Sequence, residues 1–276
     1  MKLSLGFSPC PNDTFIFDAM IHGKIDTEGL EFDVLLEDVE ALNEMAIKEK
    51  LDITKLSYHA FAWVHEKYTL LDSGSALGEN CGPLLIAREN FAPEQVKDLK
   101  IAIPGQYTTA HFLFKLAFPD ATHTQSMIFS DIEKAILDGQ VDAGVIIHEN
   151  RFTYASKGLK KIVDLGEYWE QKTGMPIPLG GIAVKKSLPE TLQHKVNRVM
   201  QRSVRYAFDH PEESHNFVCS HAQEMSPEVQ QQHINLYVNH YTLDLEEKGK
   251  AAIRYLYQLA TDKGIMPPLK TSIFLQ

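Results

Sequence analysis

The sequence predicts an α/β fold in two lobes, followed by a helical C-terminal region. Three observations predict it. Short apolar strands alternate with helical segments, which implies parallel or mixed sheets. The first stretch of the chain is echoed, in order, about a hundred residues later. The segment 189–276 then carries helical rather than strand periodicity.

The first echo pairs "KLSLGFSPCPNDTFIFDAMIHG" (2–23) with "LKIAIPGQYTTAHFLFKLAF" (99–118). Each is a strand, Leu3–Phe7 or Ile101–Ile103, then a proline-containing polar loop. Each then enters a helix through threonine, Thr14 or Thr108 and Thr109. The second pairs "DVEALNEMAIKEKLDITKLSYH" (38–59) with "DIEKAILDGQVDAGVIIHE" (131–149): helix, turn, then a strand headed by Leu51-Asp52-Ile53 or Val141-Asp142-Ala143. Ser130 and Glu133 have capping-box spacing there. Aligning the two aspartates sets Ser57 against Ile147 and Tyr58 against His148. The third pairs "GPLLIARENFAPEQ" (82–95) with "GGIAVKKSLPETL" (180–192), each a strand followed by a Pro-Glu helix start. These echoes divide the chain into a larger lobe, 1–97 plus 179–276, and an inserted lobe, 98–178, with crossing strands near 82–88 and 180–186 as hinge and a cleft between the lobes. In the tail, Leu245, Ala252, Leu256 and Leu259 fall on one helix face, and Gly264 with Pro267-Pro268 ends it.

Composition narrows the function. At 276 residues with 44% hydrophobic and 23% charged residues, the chain buries a sizeable core. A net charge of -10 disfavours nucleic acid and anionic membranes as partners. Three widely spaced cysteines, Cys10, Cys81 and Cys219, indicate neither a disulfide framework nor a zinc site. The N-terminal residues lack the apolar stretch of a signal peptide, and no run approaches a membrane span. A cytoplasmic location is the expectation. No metal site is expected either, since HExxH and zinc-type Cys/His spacings are absent, as are a P-loop and a Gly-x-Ser-x-Gly elbow.

Ligands of open α/β sheets bind at the carboxyl ends of strands. Four such ends are Ser8–Thr14, Lys55–Ser57, Gly105–Ala110 and Ile147–Asn150, and two facing lobes would turn all four to one cleft. Pro9 and Pro11 keep the first loop extended until Asn12 or Asp13 caps a helix whose free N–H groups suit an anion. Gly105, Thr108, Thr109 and the N–H groups of Thr109 and Ala110 offer a second such device. Both patterns equally suit plain capped helices. Lys55 reads as a surface or ligand-facing residue, Ser57 as a ligand hydroxyl and His59 as structural. His148, delivered by the apolar strand Val145-Ile146-Ile147, stands where a proton-exchanging group would serve near pH 7. His22, His65, His210, His215 and His221 read as surface.

The strings "SPCPNDTFIF", "TKLSYHAF", "PGQYTTAHFL" and "GVIIHE" together resemble the 1,4-dihydroxy-6-naphthoate synthase family of the futalosine route to menaquinone. The resemblance is clear from residue 1 to about 190 and looser in the tail. It implies a type II periplasmic-binding-protein-like fold and a lyase that needs no cofactor. That lyase would convert cyclic de-hypoxanthinyl futalosine to the dihydroxynaphthoate with release of a dihydroxyacetone-type fragment. It places the catalytic base on His148 and substrate binding on Lys55, Leu56, Ser57, Thr109 and Ala110. Asn12, Asp13 and Thr14 form the other donor cluster, and which cluster holds the substrate carboxylate is open. The partner expected is therefore a small carboxylate. A second copy of the chain is left open. Two rivals remain: a small-anion binding protein of the same fold, which would return its ligand unaltered, and the chorismate dehydratase of the same pathway.

Overall fold

The computed structural model describes residues 2–222 and 226–275. Its strands are β1 (Lys2–Phe7), β2 (Glu31–Leu36), β3 (Ile53–Ser57), β4 (Tyr68–Leu70), β5 (Ala76–Gly78), β6 (Leu84–Ala87), β7 (Ile101–Ile103), β8 (Thr124–Ser126), β9 (Ala143–Ile146), β10 (Lys160–Asp164) and β11 (Ile177–Lys185). They form two sheets. The first runs β2-β1-β3-β11-β4, with β5 also on β11, and the second runs β10-β6-β9-β7-β8.

The two sheets repeat one plan. In the first, β1 pairs in parallel with β2 and β3, and β11 lies antiparallel on the far side of β3. In the second, β7 pairs in parallel with β8 and β9, and β6 lies antiparallel on the far side of β9. The registers agree: Leu5 faces Ile53 as Ile101 faces Ala143. Even the local lock is repeated. Asp52 accepts the Ser4 N–H at 3.0 Å, and Asp142 accepts the Lys100 N–H at 2.7 Å. These are the aspartates on which the second echo aligns.

The division of the chain differs from the expected one. Leu84–Ala87 is not part of the first sheet; β6 is hydrogen-bonded on both edges within the second, to β9 and β10. Ile177 and Pro178 belong to β11 and so to the first sheet. The sheets therefore meet nearer residues 79–83 and 165–176 than at 97/98 and 178/179, and the proposed hinge strands lie inside sheets. The physical reason is the third echo itself. Each sheet takes the crossing strand as its own antiparallel member, because only there does the strand's backbone find partners.

Strands β3 and β9 are buried along their whole length, as central strands covered on both faces must be. Helices α1 (Pro11–Ile21), α2 (Val39–Ile47) and α3 (Tyr58–Val64) serve the first sheet, and α4 (Thr109–Ala117) the second. The tail is helical where described, with helices Glu190–Asp209, Pro227–Tyr237 and Glu246–Asp262; residues 223–225 and 276 of the expected region lie outside the described residues. Val196, Val199 and Met200 of the first of these join Leu5, Phe7 and Phe17 in one apolar cluster. Leu245, Ala252 and Leu256 are buried as the periodicity predicts, whereas Leu259 is only half-buried. Gly264 takes φ +67° after the helix, a conformation that favours glycine. The capping box at Ser130 does not form: Phe129–Asp131 is a 3-10 turn, and Glu133 instead binds Asn150 Nδ2 and Lys157 Nζ, each at 2.6 Å. No helix among the described residues is long and apolar enough to cross a membrane.

The loop before α4 is where the second sheet touches α2. Glu40 of α2 accepts the Tyr107 N–H at 2.9 Å and the Asn43 side chain at 3.0 Å. Gly105 adopts φ +145°, and a Cβ there would lie 2.4–2.6 Å from the Glu40 carboxylate arm. Its freedom admits Glu40, not a ligand. Gly105→Ala is expected to lower unfolding free energy by about 1–3 kcal/mol, from backbone strain and the displaced carboxylate, measured by urea denaturation.

Candidate active site

The four strand ends do converge. A cleft of about 660 Å³ is lined by Ser8, Asn12 and Asp13 of the first end and Lys55, Leu56 and Ser57 of the second. Thr108, Thr109 and Ala110 line it from the third, and Ile147 and His148 from the fourth.

The first loop solves its start differently from the expectation. Cys10, not Asn12 or Asp13, stands at the N-cap, with no side-chain capping bond. Pro11 takes the first helical position, where its fixed φ fits and its missing N–H leaves nothing unsatisfied. Asn12, Asp13 and Thr14 then fall in the first turn. Thr14 does not line the cleft; its hydroxyl donates to the carbonyl of Cys10 at 3.1 Å and lies near that of Pro11.

Asp13 is the centre of the first lobe's contribution. One carboxylate oxygen accepts the Ser8 hydroxyl at 2.7 Å and the Ser8 N–H at 3.3 Å. The other accepts Asn12 Nδ2 and Lys55 Nζ, both at 2.8 Å. Lys55 is not a surface residue: it is 6% exposed and its ammonium is held between Asp13 and the Gly74 carbonyl. The donors of this loop thus face a carboxylate of the protein's own. Ser57 lies beside them, its hydroxyl oxygen accepting Asn43 Nδ2 at 3.2 Å and its proton left for another acceptor.

The second device stays open. Thr108 caps α4 by accepting the His111 N–H at 3.2 Å. Thr109's hydroxyl is engaged by the protein, donating to the Leu179 carbonyl at 2.6 Å and accepting the His59 N–H at 3.3 Å. His59 is structural as expected: buried, its Nδ1–H donates to the Thr108 carbonyl, and burial holds its pKa down to about 4. The N–H groups of Thr109 and Ala110 bond no acceptor among the described residues, as the first N–H groups of a helix do.

His148 follows β9 with φ +56°, a region a non-glycine residue seldom occupies. The bend aims the imidazole into the cleft. Its Nε2 is shielded and has no hydrogen-bond partner among the described residues. Burial pushes its pKa down to about 4, with Asp13 working against that and Lys55 with it. The ring is therefore neutral at pH 7 and keeps a lone pair. Phe129 packs edge-on at 4.9 Å, and His233 stacks at 6.0 Å.

Several neighbours were beyond sequence reasoning. Tyr237, from the helix Pro227–Tyr237, lines the cleft, and His233 of the same helix packs against it and against His148, its ring 4.6 Å from that of Tyr237. A signal existed: Gln230, His233, Ile234 and Tyr237 are buried along one face of that helix, so polar residues occupy core-facing positions. His65 is buried rather than superficial, its ring bridging the Ala62 carbonyl and the Lys270 N–H. Donor atoms of Cys10, His148 and Glu149 lie within 4.8 Å of one another. Burial and then the charge of Glu149 push the Cys10 thiol well up. The thiol is thereby held in its protonated form.

Asp13→Ala would leave the Lys55 ammonium buried without its counter-charge. The expected loss of stability is about 3–5 kcal/mol, read by chemical denaturation.

Comparison with known proteins accords with this geometry. A profile described as menaquinone biosynthesis matches residues 3–262. The 1,4-dihydroxy-6-naphthoate synthase of Thermus thermophilus is 43% identical over 273 residues, 99% of each chain. A crystal structure of an Archaeoglobus fulgidus protein superposes with TM-score 0.91 at 36% identity, covering 96% of this chain and 98% of that one. A Candida albicans protein described as having the generic periplasmic-binding-protein fold superposes with TM-score 0.68 at 14% identity, covering 100% and 98%; it speaks to the fold alone. The chain belongs to the menaquinone-biosynthesis family that includes the 1,4-dihydroxy-6-naphthoate synthases, on a two-lobed periplasmic-binding-protein-like fold.

Proposed function

We propose that the protein is a lyase that converts cyclic de-hypoxanthinyl futalosine to 1,4-dihydroxy-6-naphthoate, releasing a dihydroxyacetone-type fragment, with His148 as the base. One observation carries this reading: a neutral imidazole, that of His148, lines a cleft assembled from all four strand ends. His148 takes a proton from the bound substrate and sets off carbon–carbon cleavage. Aromatisation of the product drives the step, so the protein supplies orientation, a proton acceptor and a dry cleft.

The substrate carboxylate goes to the start of α4. The donors around Ser8 already face Asp13, whereas the Thr109 and Ala110 N–H groups have no acceptor among the described residues and sit at the positive end of a helix. Ser57 adds a hydroxyl and Lys55 a positive potential. Mass-spectrometric analysis of products after incubation with the cyclic futalosine tests the reading; recovery of unaltered ligand would turn it to the binding-protein alternative.

His148→Asn is expected to keep the fold and to lower kcat at least ~10²-fold; a normal kcat would remove His148 from the role. In the wild type, kcat/KM is expected to hold through pH 5 and to fall only towards about 4, below the ordinary histidine range. A carboxylate in the cleft favours the imidazolium, so the acid limb of kcat lies at higher pH than that of kcat/KM. Stability follows the same proton. The folded pKa is depressed, so the unfolded chain protonates first, and stability declines as pH falls from about 6.5 to 4.

Thr109 separates hydroxyl from amide. Thr109→Val keeps the N–H, while Thr109→Pro removes it at a helical first position that follows an extended Thr108. The proline variant is expected to raise KM about tenfold or more beyond the valine variant, the worth of a charge-assisted hydrogen bond. Equal KM values would place the carboxylate elsewhere.

A further inference from the structure

His233 is fully buried behind the cleft, at 0% exposure, and no step of the mechanism above uses it. It comes from the helix Pro227–Tyr237, 221 residues along the chain from Asn12. Its hydrogen bonding is fixed by its neighbours. Asn12 Nδ2 donates to Asp13, so the amide must present Oδ1 to His233 Nε2, which lies 2.7 Å away. Nε2 therefore carries the proton and donates. Nδ1 is then a lone pair, buried and without a partner among the described residues. Burial, then the neighbouring His148, then Lys55 all push the pKa of His233 well down, so the ring stays neutral.

Two consequences follow. The chain His233–Asn12–Asp13–Lys55 is continuous, with links of 2.7, 2.8 and 2.8 Å, and its direction is set by one imidazole N–H. Without that donor, Asn12 is free to turn over, and its Nδ2 no longer has to face Asp13. The second consequence concerns His148. The two rings are stacked, 25° from parallel, so His233 offers a face and no N–H to the neighbouring imidazole. The lone pair of His148 is left undisturbed for its proton.

We infer that His233 is a positioning residue for the reaction at His148, acting through its Nε2–H bond to Asn12 to hold the Asn12–Asp13–Lys55 chain beside the base. This rests on the reading of His148 as that base. It assigns to the C-terminal helical region a part in the reaction, not only in the core.

The test is a set of substitutions read as kcat and KM separately. His233→Asn and His233→Phe shorten or delete the donor and are expected to lower kcat about tenfold or more, with KM within about threefold of wild type. His233→Gln places an amide N–H where Nε2–H stood and is expected to keep kcat within about threefold. Unchanged kcat in the folded asparagine and phenylalanine variants overturns the inference. So does a glutamine variant as slow as they are, or a loss confined to KM. Should those two variants not fold, Asn12→Ala removes the other half of the bond and is judged by the same kcat criterion. His148→Asn in parallel separates the two claims: if it turns over normally, the base reading fails. If it is dead while the His233 series matches wild type, only the present inference fails. Independently of turnover, the His233 Nε2–H should appear in proton NMR as a slowly exchanging signal that Asn12→Ala makes fast; its absence from wild type overturns the inference.

Discussion

The buried ion pair between Asp13 and Lys55 is the constraint on which the site rests. Both side chains are almost fully enclosed, 2% and 8% exposed. Removing two charges from water is costly, and close contact alone seldom offsets it. The remaining lone pairs must be met as well, and here they are: Ser8 gives a hydroxyl and an N–H, and Asn12 an amide. That demand accounts for the rigid first loop. Pro9 and Pro11 hold Ser8 and Asn12 on either side of one carboxylate, and β3 delivers Lys55 from the neighbouring strand. A hydrophobic pair would have been no less stable. What the ion pair supplies is a fixed, fully bonded polar floor to the cleft, in which the lysine is already met by the protein's own carboxylate.

Electrostatics then divides the two lobes. The first helix start is closed by its own Asp13, and the second, at Thr109 and Ala110, is left with open donors. The second is also fastened to the first lobe. Glu40 holds the Tyr107 N–H, the His59 N–H and the Leu179 carbonyl hold Thr109, and His59 reaches the Thr108 carbonyl. The helix start with unbonded N–H groups and the lobe contact thus share one loop. A guest bound to α4, as proposed, would reinforce the contacts around the cleft that His148 lines, a route by which binding energy can reach a reacting centre.

Much of this was legible in the sequence, because it depends on local rules. The two-lobe plan is visible in three echoes whose aspartates turn out to lock equivalent backbone N–H groups, Ser4 and Lys100. The strand ends that meet in the cleft follow from alternation of strand and helix alone. The lobe boundary was misplaced because a strand's sheet is chosen by hydrogen-bond partners distant in sequence, and β6 looks the same whichever sheet accepts it. Lys55 was harder still. Its burial depends on Asp13, forty-two residues earlier, and no pattern within β3 reports that partner. His233 lies 221 residues from Asn12, and only the polar residues on a core-facing helix stripe hinted that it was bonded to anything.

The repeated plan also shows how one architecture puts one imidazole, rather than two matched side chains, against the cleft. Tyr58 and His148 are matched positions at the ends of equivalent strands. In the first lobe the chain passes from Ser57, extended at φ -69° and ψ 143°, directly into α3, and Tyr58 is drawn into the core to meet Ser75 at 2.7 Å. In the second, the chain turns left-handed at His148, φ +56°, and no full helix follows at once. That one reversal of backbone hand turns a side chain from the interior to the cleft. Strain of this kind persists only where surroundings hold it. Here they are Phe129 on one side and the tail's His233 on the other, so the tail, which the repeat does not include, is what keeps the second lobe's imidazole in place.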